Sequence, residues 1–237
     1  EAMLNEGADI IDVGGESTRP GATEVSVADE LARVLPVIER LAATHPDATL
    51  SIDTVKSEVA RAALEAGAHI VNDVSALRLD PAVSDVCAAF GAGLVLMHSR
   101  GDVSDMASHV HATYGHVVDE VLSELGERLD AATKAGVARE SIALDPGVGF
   151  SKRTMHSLAV LGGLPRLAAL DGGHPVLVGV SRKRFIGEIT GVRDAAERLS
   201  GTLGANVAAL ALGARIFRVH DVRPAREALD VAWQILR

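Results

Sequence analysis

Hydrophobic and polar positions along the chain follow two periods in turn. Short runs of aliphatic and β-branched residues read as strands near 9–13 (DIIDV), 49–53 (TLSID), 69–73 (HIVND), 93–98 (GLVLMH), 141–145 (SIALD), 175–180 (PVLVGV) and 214–220 (ARIFRVH). Between them, apolar positions recur at helical spacing near 28–44, 55–66, 81–90, 112–135, 154–170, 194–212 and 223–236. The strand interiors are almost unbroken Val, Ile, Leu and Ala, which suits strands covered on both faces by helices and hence a parallel sheet. A Gly-Ala pair beginning at Gly7, Gly67, Gly91 and Gly213 stands between a helix pattern and the next strand, where glycine can take the left-handed backbone that ends a helix.

Seven strands are visible, whereas a (β/α)8 barrel closes with eight. The opening residues, EAMLNEGAD, read as the last turns of a helix. The expectation is therefore an α/β fold, a single (β/α)8 TIM barrel domain over residues 1–237, with its first strand, that strand's loop and most of its helix lying before residue 1. An open doubly wound sheet is the alternative. Its phosphate loop would carry G-x-G-x-x-G, and Gly14-Gly15 followed by Glu-Ser-Thr-Arg-Pro departs from that pattern.

Composition adds limits. With 48% hydrophobic and 23% charged residues the chain can bury a large core and is not a disordered segment. A net charge of -9 offers no basic stripe for a nucleic acid. No apolar run reaches the roughly 20 residues of a bilayer span and no signal-peptide order opens the chain, so a soluble cytoplasmic protein is expected. The one cysteine, Cys87, cannot form an internal disulfide and reads as a small buried hydrophobe in a reducing compartment.

The strand ends carry the chemistry. Asp12, Asp53, Asn72 with Asp73, His98, Asp145, Ser181 to Lys183, and Arg218 with His220 and Asp221 each fall where a strand gives way to its loop, and barrel active sites lie at that face. Any one of them could be a helix cap, Asp53 and Asp73 above all; on one rim they make a site. Carboxylates at Asp12, Asp53 and Asp145 and cations at Arg19, Lys183 and Arg218 suit a ligand with a hydrogen-bond-donating ring at one end and an anion at the other, the anion held by Arg19, Arg218 and His220. Other features read as structural. His109, His111 and His116 match no standard zinc spacing, have no thiolate or carboxylate nearby in sequence to complete a site, and read as a loop and helix start. Arg184, Arg193 and Arg198, interleaved with Glu188, Asp194 and Glu197, read as a charged helix face, and Trp233 and Phe217 as core.

The runs GGESTRPGA (14–22), SIDT (51–54), NDVS (72–75), LMH (96–98), LDPGVGF (144–150), SRKRFIG (181–187) and RVHDV (218–222) together resemble dihydropteroate synthase, in order and along essentially the whole chain. The resemblance implies condensation of 6-hydroxymethyl-7,8-dihydropterin diphosphate with p-aminobenzoate to give 7,8-dihydropteroate and pyrophosphate, on the route to folate. It implies a pterin site of Asp53, Asn72, Met97, Asp145, Phe150, Lys183 and Arg218, with Asp145 taking the ring's paired donors. It implies a diphosphate site of Thr18, Arg19, Arg218 and His220, and Asp53, Lys183, Arg218 and His220 as the catalytic set. A Mg2+ cofactor is implied, with its asparagine ligand before residue 1, as are a homodimer and sensitivity to sulfonamides. The loop 17–25 is expected to be mobile, hinged at Pro20-Gly21. Arg184 stands where many family members carry Ser; it either charges the p-aminobenzoate entrance or points to solvent. Two other readings stand beside the synthase: a non-catalytic pterin-binding paralogue, and a methyltransferase using a methylated folate, for which the clamp of Arg19, Lys183, Arg218 and His220 would be superfluous.

Overall fold

Among the described residues, seven parallel strands follow one another around a barrel wall in chain order. The computed structural model describes residues 1–19, 21 and 23–236; Pro20, Ala22 and Arg237, and with them the expected Pro20-Gly21 hinge, lie outside the described residues. After the short α1 (Ala2–Asn5), the chain runs β1 (Ile10–Gly14), α2 (Val27–Thr44), β2 (Thr49–Asp53), α3 (Ser57–Glu65), β3 (Ile70–Asp73), α4 (Ala82–Phe90), β4 (Gly93–Met97) and α5 (Val117–Lys134). It continues through β5 (Ile142–Asp145), α6 (Thr154–Gly162), α7 (Leu164–Ala168), β6 (Leu177–Val178), α8 (Arg184–Thr190), α9 (Leu199–Ala211), β7 (Ile216–Phe217) and α10 (Val222–Leu236). β1 to β5 form one parallel sheet and β6 pairs with β7 in a second; a single bridge from Leu144 to Val176 joins them. No ladder joins β7 to β1 among the described residues, and a groove of about 680 Å³ runs between them.

The two faces of each strand do different work, as the period of two requires. Ile52, Val71, Leu94, Leu96, Leu144, Val176 and Val178 pack outward, in one large core with Val34 and Ile38 of α2 and Leu125 and Leu129 of α5. Val95, Ala143 and Leu177, with Ile70 and Ile216, form a separate apolar layer inside the barrel. Two residues further along the strands, the same inward face reaches Asn72, Met97, Asp145, Gly179 and Arg218, and by the same step Ile10 leads to Asp12 and Ser51 to Asp53. The alternation that fills the barrel with aliphatic side chains thus delivers the polar residues to its mouth.

Several expected boundaries move. The helix expected at 154–170 is broken into α6 and α7 at Gly162 and Gly163, with Pro165 setting the new start. The helix expected from 112 begins at Val117; residues 112–116 are loop, tied back by Glu120, which accepts from the backbone N–H of Gly115 and His116. β6 and β7 shrink to two residues each. α8 was not expected at all. Arg198 belongs to no charged helix face: it donates to the carbonyls of Val192, Arg182 and Arg193, which fastens the turn before α9. Trp233 is 41% exposed and lines the groove beside β7, its ring 5.1 Å from the Arg215 guanidinium, instead of entering the core. Phe217 does pack against the core, and Cys87 is buried, its thiol pushed up to about 12 by loss of solvent. The Gly-Ala glycines all take positive φ, as expected.

Candidate active site

At the mouth, three strand ends are fastened by one guanidinium. Arg218, two residues past Ile216, donates from Nε to Asp12 Oδ2 at 2.7 Å and from Nη2 to Asp53 Oδ2 at 2.9 Å. Asn72 Nδ2 donates to the same Asp12 oxygen at 3.2 Å. Asp12 Oδ1 is left buried with no partner. Burial and the neighbouring Asp12 carboxylate push Asp53 up to about 7, against the pull of Arg218. Arg218 stays half exposed despite its two carboxylates, so its remaining N–H groups can meet a ligand. Asp73, by contrast, is occupied locally: it accepts from the backbone N–H groups of Ser75 and Leu77 and from the Ser75 hydroxyl, a buried turn cap of the kind its position allowed.

Asp145 is buried at the end of β5, and its Oδ1 accepts from the Gly147 N–H at 2.7 Å. Burial raises its pKa; Lys183, that N–H bond, Lys152 and Arg218 act in the opposite direction. The Lys183 amine lies 4.6 Å from the centre of the Phe150 ring, donates to the Val148 carbonyl, and is lowered to about 8 by burial. Gly179 leaves the space between Arg218 and the Lys183 amine open: a Cβ there would stand 3.9 Å from each. Met97 and Phe150 share an apolar cluster with Val55, Val74, Val103 and Met106. The expected pterin residues are therefore brought to one place in two sets, Arg218, Asp53 and Asn72 gathered about Asp12, and Asp145, Lys183 and Phe150 with Met97, within electrostatic reach of each other.

The expected diphosphate residues are brought together only in part. His220 Nδ1 lies 2.9 Å from the Ser181 hydroxyl, whose oxygen also accepts from the His220 backbone N–H at 3.2 Å. Burial, with Arg182 and Arg218, lowers the His220 pKa and favours its neutral ring. Arg19 is near enough to add to that effect, yet no hydrogen bond or ion pair links Thr18 or Arg19 to Arg218 or His220 among the described residues. The loop bearing them is fixed at its stem, where Glu16 accepts from Val25 N–H at 2.6 Å and from Lys56 at 2.7 Å, while its Gly21 N–H reaches the Ser104 carbonyl.

Arg184 starts α8 with its side chain exposed to solvent, where it contacts the His109 imidazole and lies 3.8 Å from Glu188. A carboxylate does stand near the histidines, for His111 pairs with Asp105 at 2.8 Å. Sequence reasoning places Asp12 on the rim but does not reveal that it anchors Arg218, and it misses Lys152. Lys152 is 1% exposed and bonds to His98; a lysine closing a run of small and apolar residues, LDPGVGFSK, was the available signal.

Comparison with known proteins gives one direction. The family described as pterin binding enzyme matches residues 1–220. Dihydropteroate synthase of Mycobacterium leprae (strain TN) is 47% identical over 98% of this chain and 82% of its own. A Xanthomonas albilineans dihydropteroate synthase structure with 4-aminobenzoic acid superposes with a TM-score of 0.90 at 48% identity, over 99% of this chain and 81% of that one. The enzyme from the same organism in complex with 7,8-dihydropteroate gives 0.86 at 43% identity, with the same two coverages.

Proposed function

The chain belongs to the pterin-binding enzyme family, and we propose that within it the chain works as a dihydropteroate synthase. It is a transferase of folate biosynthesis that condenses 6-hydroxymethyl-7,8-dihydropterin diphosphate with p-aminobenzoate, giving 7,8-dihydropteroate and pyrophosphate. The observation that carries the reading is a buried acceptor, Asp145, within electrostatic reach of a half-exposed guanidinium, Arg218, at one barrel mouth. The first answers a donor edge and the second an anion.

The residues divide the task. Asp145 accepts the ring's adjacent N–H and amino donors, and Asn72 and Asp53 meet the rest of that edge. Lys183 swings from the Val148 carbonyl to the ring oxygen, Met97 and Phe150 wall the ring, and Arg218 lies along its face. Arg218 and the neutral His220 hold the diphosphate, and closure of the loop carrying Thr18 and Arg19 completes the grip. As the carbon–oxygen bond breaks, the electron pair leaves with pyrophosphate and its growing charge meets these donors. The electron-rich ring shares the positive charge left on the methylene, with Asp53 as a nearby anion. The aromatic amine then forms the carbon–nitrogen bond and gives up one proton to water or to the departing pyrophosphate.

Magnesium is part of the proposal, and the residues fit it. Among the described residues no three His, Cys, Asp or Glu side chains cluster as an all-protein site. Asp12, with its unpartnered buried Oδ1, is the carboxylate that would help hold it. When bound, the ion neutralises charge on the leaving group. We also place the enzyme in the cytoplasm and read it as a homodimer. No helix among the described residues is long and apolar enough to cross a membrane.

The test follows dihydropteroate and pyrophosphate together, in the presence of magnesium and p-aminobenzoate. Equal formation of both is expected. Pterin binding with neither product would overturn the synthase reading in favour of a binding paralogue.

A further inference from the structure

We infer that Lys152 is a positioning residue for pterin recognition, fixing the loop that holds Asp145 and facing that carboxylate with a buried positive charge. The inference rests on Asp145 being the pterin anchor. Lysine is almost never fully buried unless its ammonium is paired, and no carboxylate touches this one. Its Nζ instead meets His98 Nδ1 at 2.8 Å, the Phe150 carbonyl at 3.1 Å, the Gly147 carbonyl at 3.2 Å and, more distantly, the His98 carbonyl at 3.5 Å. These acceptors converge on one point from the end of β4 and from both ends of the turn after β5.

The geometry couples that point to the site. Gly147 donates its N–H to Asp145 Oδ1, and its carbonyl accepts from Lys152. Gly147 is therefore stretched between anion and cation. Phe150, whose carbonyl Lys152 also holds, is the residue proposed to wall the ring and lies under the Lys183 amine. His98 accepts at Nδ1, so its proton sits on Nε2 and goes to Glu124 Oε2 at 3.0 Å. Burial and Lys152 lower His98 to about 4, which keeps the ring neutral and able to accept. The charged groups facing Lys152 are Asp145, Lys183, Glu124 of α5 and Arg100; His156 of α6 feels it too. Those facing Asp145 are Lys183, Lys152 and Arg218.

A solvated scaffold could be tied by any hydrogen-bonding residue, but here the tie is a cation behind an anion that must stay ionised to accept the pterin donors. Burial lowers Lys152 to about 7, so it carries its charge on the acid side, where Asp145 would otherwise take up a proton. Loss of that charge raises the Asp145 pKa, and affinity for the ring should then fail at a higher pH.

The test measures binding of a plain pterin, without diphosphate, by calorimetry as the pH is lowered, alongside steady-state kinetics. Lys152→Met should move the acid limit of binding up by about one pH unit. It should raise KM for the dihydropterin diphosphate about tenfold at mildly acidic pH, the equivalent of that shift, and leave KM for p-aminobenzoate unchanged. Lys152→Gln restores N–H donors without charge; it should recover thermal stability yet keep the displaced limit, and it carries the test alone if the methionine variant does not fold. A lowered melting temperature with the acid limit unmoved in either variant would make Lys152 a purely structural tie and overturn the inference. Asp145→Ala, run in parallel, separates the two levels. If it leaves pterin affinity intact, the assignment of Asp145 itself fails; if it abolishes binding while the Lys152 variants behave as wild type, only the role of Lys152 fails.

Discussion

Arg218 links three strand ends, and its position explains why a cation can sit ready in an otherwise acidic mouth. Asp12 and Asp53 hold two edges of its fork without withdrawing it from solvent. A planar guanidinium can be braced this way while still presenting donors; an ammonium cannot. Arg218→Ala should lower kcat about 100-fold or more, the range lost when a donor to developing charge is removed. It should also weaken inhibition by pyrophosphate, and Arg218→Lys should recover little of either. Normal turnover in the alanine variant, measured by pyrophosphate release, would exclude Arg218 from the leaving-group clamp. Most of this rim was legible, because inward-facing positions at strand ends could be read off as polar residues after aliphatic runs. What was not legible was who pairs with whom. Asp12 and Arg218 are 206 residues apart in the chain, and only the curl of the wall that brings β7 round toward β1 makes them neighbours. Nor could the sequence separate Asp73, occupied by its own turn, from Asp53, which precedes a helix in the same way but points inward.

The turn from β5 into α6 is the most constrained element of the site. Gly147 has φ +65, and a Cβ there would stand 1.9 Å from the His98 carbonyl oxygen, a backbone atom with no freedom to move aside. Gly147→Ala is therefore expected to destabilise the fold by about 3 kcal/mol or more, seen as a lower denaturation midpoint, and to loosen pterin binding in whatever protein remains folded. Wild-type stability would mean that the turn can relax away from β4. The LDPGVGF run announced this turn but not its partners, since the Lys152 and His98 contacts depend on how β4 and β5 register, Met97 opposite Asp145. Helix boundaries were legible where amphipathic faces were long, as in α2 and α10. They failed where the signal was short or mixed. α8 has only seven residues, with Gly187 and the β-branched Ile186, Ile189 and Thr190 among them, so helical spacing never outweighs the poor propensity. Its tertiary setting, with Phe185 and Ile186 buried, makes the helix instead.

The barrel as a whole separates its chemistry from its outer surface along every helix. α10 begins beside His220 at the mouth and, at about 1.5 Å per residue, carries its last turn roughly 20 Å away toward the opposite end of the wall. There Val231 and Ile235, one turn apart on the same face, are 63% and 75% exposed, and Leu236 is half exposed beside them. Apolar side chains gathered on one face at the end of a helix are what a two-fold interface would cover, and this face is the support the structure offers for the proposed homodimer. Replacing both Val231 and Ile235 by Asp sets like charges against each other across such an interface, because an isologous contact doubles every substitution. The double variant should sediment at half the mass of the wild type while its kcat per chain stays unchanged, since no residue of the proposed site lies on that turn. A variant that keeps the wild-type mass would place the interface elsewhere on the barrel. A variant that loses both mass and turnover would show instead that the second subunit supports the mouth, and the surface and the chemistry would then be coupled through the length of α10.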